Sequence, residues 1–82
     1  MSVTVYTGGY PSTPATINVT GVPSGVTVKA WKQGNAQTLT YSGGVYSVTV
    51  TAYGTYTITR SDSTDYIDVW VHGGSTYEAH FG

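Results

Sequence analysis

Gly44-Val45-Tyr46-Ser47-Val48-Thr49-Val50, followed three residues later by Gly54-Thr55-Tyr56-Thr57-Ile58, decides the fold. Each run opens on a glycine and then alternates apolar with small polar residues. Such alternation places Tyr46, Val48 and Val50 on one face of an extended chain and Ser47 and Thr49 on the other. The second run repeats this with Tyr56 and Ile58 against Thr55, Thr57 and Thr59. A helix would scatter these apolar positions around its axis, so both runs read as strands with one face in water.

The same pattern extends outward in both directions. Strands are predicted over residues 2–7, 15–20, 26–32, 37–41, 45–51, 54–60, 65–72 and 76–81. The breaks between them carry Gly, Pro, Asn, Asp or Ser, which suit turn dihedrals. Ile17 and Val19 share a face, as do Val26, Val28 and Ala30, and Ile67, Val69 and Val71. Eight short strands about ten residues apart predict an all-β fold, a small antiparallel immunoglobulin-like sandwich of seven to eight strands. Val28, Val48, Ile58 and Val69 are expected to be buried and to face one another across the two sheets.

Composition agrees. The 82 residues make one domain, spanning residues 1–82. β-branched and aromatic residues abound, whereas Leu39 is the single leucine and Glu78 the single glutamate, so good helix formers are scarce. There is no cysteine, which excludes disulfides and cysteine metal sites. Charged residues are 9% of the chain, against roughly 25% in an average soluble domain, and the formal net charge is −1. Low self-repulsion favours association. Lys29, Lys32 and Arg60 are the only strong bases, too few for a phosphate track, so nucleic acid is not an expected partner. No apolar stretch approaches the roughly 20 residues of a membrane span, and residues 1–6 show no signal-peptide pattern.

From residue 16 to residue 71 the order of signals resembles the prealbumin-like group of immunoglobulin-type sandwiches, which includes the PEGA and Cna-B modules. The resembling residues are Gly21-Val22-Pro23-Ser24-Gly25, the strand Val26-Thr27-Val28, and the two glycine-led runs quoted above. The resemblance covers about two thirds of the chain and implies a fold, not an activity. Some Cna-B modules carry a Lys–Asn isopeptide bond. This chain has only Asn18 and Asn35, neither in the last strand, so no such bond is expected. Small modules of this kind resemble those that recur in tailed-phage virions as capsid decorations, fibres and tail appendages. That likeness implies a virion or extracellular surface setting, with other protein chains, of the virion or copies of this one, as partners.

Chemistry-bearing residues are few. His72, His80 and eight serines supply the ingredients of a triad, but no Gly-x-Ser-x-Gly elbow is present, and an enzyme is not expected. His72, Glu78 and His80 would approach a zinc-like geometry if the strands flanking Gly73-Gly74-Ser75 formed a hairpin; two solvated histidines are the plainer expectation. Asp62, Asp65 and Asp68 flank a turn and could offer oxygens to calcium, yet they lack the EF-hand spacing, and capping of turn amides accounts for Asp62 and Asp65. No cofactor is expected. Asn18-Val19-Thr20 has the form of a glycosylation sequon but lies within a strand.

The aromatics are the lead. Tyr46 and Tyr56 fall on inward positions. Tyr6, Tyr10, Tyr41, Tyr53, Tyr66 and Tyr77 are surface or rim candidates. Trp31 falls on the Lys29 face and Trp70 on the Tyr66/Asp68 face, both opposite the apolar positions of their strands. Each indole either lies over a sandwich edge or under a loop, or forms part of a contact surface, and exposed indoles and phenols are typical contact anchors. Trp31, Trp70, Tyr41, Tyr53, Tyr66 and Tyr77 are therefore the candidate interface residues, for protein chains or, alternatively, for glycans stacked in a carbohydrate-binding or adhesion module.

Overall fold

The computed structural model describes residues 14–82, and the strand expected over residues 2–7, with Tyr6 and Tyr10, lies outside them. Eight strands follow: β1 (Ala15–Thr20), β2 (Val28–Lys32), β3 (Asn35–Thr38), β4 (Thr40–Ser42), β5 (Val45–Val50), β6 (Gly54–Arg60), β7 (Tyr66–Val71) and β8 (Thr76–His80). They form two four-stranded sheets, ordered β4-β5-β1-β8 and β3-β2-β6-β7. The fold is an all-β sandwich. Pairing is antiparallel except between β1 and β8, which run parallel with Ile17 beside Tyr77 and Val19 beside Ala79.

The alternation read from the residues is the alternation of burial. Ala15, Ile17 and Val19 in β1, Tyr46 and Val50 in β5, Tyr56 and Ile58 in β6, and Val69 and Val71 in β7 are all buried between the sheets. The two core tyrosines carry a hydroxyl that must be satisfied inside. Tyr46 donates to the Pro23 carbonyl at 2.5 Å and Tyr56 to the Ala52 carbonyl at 2.7 Å. Phe81 seals one end of the core, with the Arg60 guanidinium 4.9 Å from its ring centroid.

Two expectations about the core need correction. Val28, Ile58 and Val69 are buried, but all three belong to the same sheet and only Val48 comes from the other. Val48 itself is only partly buried. Among the described residues its neighbour is short: β4 pairs with Val45, Tyr46 and Ser47 and then ends before Val48.

The strand expected over residues 37–41 is also two strands in different sheets. Leu39 turns inward, becomes buried, and donates its N–H to the Val28 carbonyl at 2.8 Å. The chain thus leaves the edge of β2 and re-enters beside β5. Two-residue turns flank this crossing. Gln33-Gly34 and Gly43-Gly44 have positive φ at both positions, the geometry of hairpin turns that match strand twist.

Candidate interaction face

Residues directly opposite one another in paired strands project to the same side. The registers β2–β3, β2–β6 and β6–β7 therefore fix what the outer face of the β3-β2-β6-β7 sheet displays. One row across it runs Thr38, Lys29, Thr59, Tyr66. The next runs Ala36, Trp31, Thr57, Asp68. A third begins Thr55, Trp70. Trp31 and Trp70 thus share one face, offset by two strands and two residues, about 12 Å at ordinary strand spacings.

Neither indole joins the buried core. Trp31 is 38% exposed and Tyr66 63% exposed, whereas Trp70 is half-buried. The Trp31 indole N–H donates to the Thr59 hydroxyl at 2.9 Å, and the Lys29 ammonium lies 5.9 Å from its ring centroid. Thr57 donates to the Asp68 carboxylate at 2.7 Å. Trp70 is held from its other side: its ring centroid is 4.5 Å from that of His72, whose ring meets Tyr77 edge-on at 5.9 Å. Tyr77 in turn donates to the Gly73 carbonyl at 3.0 Å and accepts the His72 N–H at 3.2 Å. This ladder closes the gap where β7 hands over to β8.

The remaining candidates lie elsewhere. Tyr41, on β4, an edge strand among the described residues, is 42% exposed and packs against Tyr46 at 4.8 Å between centroids. Tyr53 and Tyr77 are half-buried against the core and do not stand on the aromatic face.

The outer face of the β4-β5-β1-β8 sheet is different in kind. Ser47 donates to Asn18 at 2.6 Å, Asn18 donates to Glu78 at 3.1 Å, and Thr20 pairs with His80 at 2.9 Å. Among the described residues its outward positions carry hydroxyl, amide and charged groups, with Val45 as the apolar exception, and no aromatic side chain apart from His80. Asn18 of the sequon is held from both sides by this network.

The hairpin on which convergence of His72, Glu78 and His80 depended does not form. After residues 72–75 the chain crosses to the other sheet, where β8 pairs with β1 rather than β7. Glu78 and His80 face outward there, and His72 sits in the Trp70–Tyr77 ladder. The three aspartates are likewise dispersed. Asp62 holds Arg60 in a two-pronged pair at 2.7 and 2.9 Å, which lowers its pKa; Asp68 accepts from Thr57. The cap expected of the aspartates is provided by Ser63, whose hydroxyl accepts the Asp65 N–H at 3.1 Å. Among the described residues no three His, Asp or Glu side chains are grouped to hold a metal ion.

Sequence reasoning missed the hydroxyls that frame the rings. Thr57 and Thr59 looked like ordinary outward threonines, and only the strand order places their strand, β6, between the two strands that carry the tryptophans. The Trp70–His72 pair was legible in part, since two residues on one strand share a side. Comparison of the chain with protein-family models, curated proteins and solved structures finds no match.

Proposed function

We propose that this domain is a non-enzymatic structural module that packs onto other protein chains of a larger assembly, of the kind found in phage virions, through the outer face of the β3-β2-β6-β7 sheet. The supporting observation is the asymmetry between the two faces: Trp31, Tyr66 and Trp70 all stand on one. The exposed rings of Trp31 and Tyr66 leave apolar area in water, a cost that contact with another chain removes. With 9% charged residues in the chain, little repulsion opposes that contact.

The test is binding of the purified domain to the structural proteins encoded beside its gene, measured by calorimetry. The Trp31→Ala/Tyr66→Ala variant is expected to melt as the parent does and to lose the partner. Equal binding by parent and variant moves the contact off this face.

A second reading, a carbohydrate-binding module, is favoured by one feature. A shallow depression of about 400 Å³ beside Trp31 is lined by Thr27, Lys29, Thr59, Arg60 and Ser61, hydroxyls and cations beside an aromatic ring. A glycan array with the Trp31→Ala control separates the two readings: glycan binding that vanishes in the variant selects the second.

A further inference from the structure

We infer that the aromatic face takes a second copy of this chain, packed sheet to sheet about a two-fold axis. The inference rests on the reading of that face as a docking surface and names its occupant. An isologous contact presents the same patch twice, so the patch must complement itself. Among the described residues, the outward positions of this sheet carry two charges of opposite sign, Lys29 on β2 and Asp68 on β7. They stand two strands and two residues apart. A two-fold axis lying in the contact plane midway between them sets Lys29 of each copy against Asp68 of the other. The same operation brings the two Trp31 rings together beside the axis. Two charges of one sign at these positions would repel under any such operation; this pair attracts twice.

The competing route, joining sheets edge to edge, is disfavoured by the same residue. β7 is an edge strand among the described residues and is rich in Ile, Val and Trp, the composition that invites strand addition. Asp68 stands in its middle. Antiparallel pairing of β7 with its own copy centred there would oppose two carboxylates. Face-to-face packing turns Asp68 from an obstacle into half of an ion pair.

Size sets the strength. Four strands about 4.8 Å apart and about 17–20 Å long present roughly 350 Å² in projection, well under the roughly 800 Å² per partner of a standard stable complex. The contact is therefore weak between free domains and fills when many copies are held close together, as on a larger particle.

Sedimentation equilibrium over a wide concentration range tests this. The parent mass is expected to climb from 8.7 kDa toward twice that value as concentration rises. Lys29→Asp and Asp68→Lys, with melting temperatures checked to remain unchanged, should each weaken association by about tenfold or more, because each opposes like charges. Mixed in equal amounts, the two variants should associate again, since the two carboxylates of one then face the two ammonium groups of the other. A parent that stays monomeric throughout overturns the inference and leaves the docking reading standing if Trp31→Ala/Tyr66→Ala still loses a different protein. A dimer indifferent to both swaps, or swaps that the mixture does not rescue, overturns it as well.

Discussion

The indole N–H of Trp31 is bonded to the hydroxyl of Thr59, one strand over and on the same face of the sheet. An exposed tryptophan ordinarily samples several rotamers, and this bond, with the Lys29 ammonium above the ring, restrains it. Thr59→Val keeps the β-branched shape and removes the acceptor. The expected stability cost is small, about 0.5–1.5 kcal/mol and at the lower end for so exposed a pair. Contact through Trp31 should weaken more than stability does, read by comparing Thr59→Val with the parent in binding and in thermal melting.

The core offers a graded series. Ile58→Ala removes a fully buried side chain from a strand paired on both sides and should cost about 2–5 kcal/mol. Val28→Ala should cost roughly 1–3 kcal/mol, and Val48→Ala less, because Val48 is only partly buried, just beyond the end of β4. Urea titrations of the three variants give the order directly. A Val48→Ala cost equal to that of Ile58→Ala would contradict the partial burial of Val48.

Gly21 passes against the end of the chain. A Cβ built there would lie 1.9 Å from the Phe81 carbonyl oxygen, and its φ of +85° is one that side-chain-bearing residues rarely adopt. Phe81 cannot move aside freely, since its N–H is bonded to the Thr20 carbonyl and its ring is buried. Gly21→Ala is therefore expected to cost more than the roughly 1 kcal/mol of an ordinary left-handed glycine. Gly25→Ala, equally left-handed but with no atom of the described residues within 4 Å of its Cβ, is the control. Equal losses from the two would show that backbone strain alone matters at Gly21.

Stability should change with pH at both ends of the scale. Burial raises the Tyr56 pKa above its ordinary value near 10. Between the unfolded and folded values the native state holds the extra proton, so stability is complete below about pH 10 and falls as pH rises through the folded value. Loss of the bond to the Ala52 carbonyl acts in the same direction. At the other end, the hydrogen bonds from Arg60 lower the Asp62 pKa. Its contribution is present above its unfolded value near 3.8 and is lost as pH falls through the lower folded value. Denaturant midpoints measured against pH should therefore drop at the alkaline end, and less so in Tyr56→Phe. Asp62→Asn should flatten only the acid branch.

Inward and outward positions were legible because a strand's period of two is written directly in the residues: Ile17 and Val19, Tyr56 and Ile58, and Val69 and Val71 needed nothing else. What alternation does not encode is the neighbour. The crossing at Leu39 was hidden because 37–41 alternates plausibly throughout, and the bond from Leu39 to the Val28 carbonyl that diverts the chain is a tertiary contact. The partner of β8 was hidden for the same reason, and with it the dispersal of His72, Glu78 and His80. That Trp31 and Trp70 stand outside the core could be read from parity. That they stand on one face depended on β6 lying between β2 and β7.

The parallel pairing of β1 with β8 joins residues 60 positions apart, as in Asn18 to Glu78 and Thr20 to His80. During synthesis, β1 emerges early yet keeps one side of its ladder open until β8 has left the ribosome. The sandwich therefore closes after translation of this segment, not along with it. Joining such distant residues is entropically slow, so a nascent chain spends its longest interval with the β8 side of β1 unpaired. A chain truncated before residue 76 should be protease-sensitive through β1, and extension through residue 82 should convert it to a resistant domain in a single step.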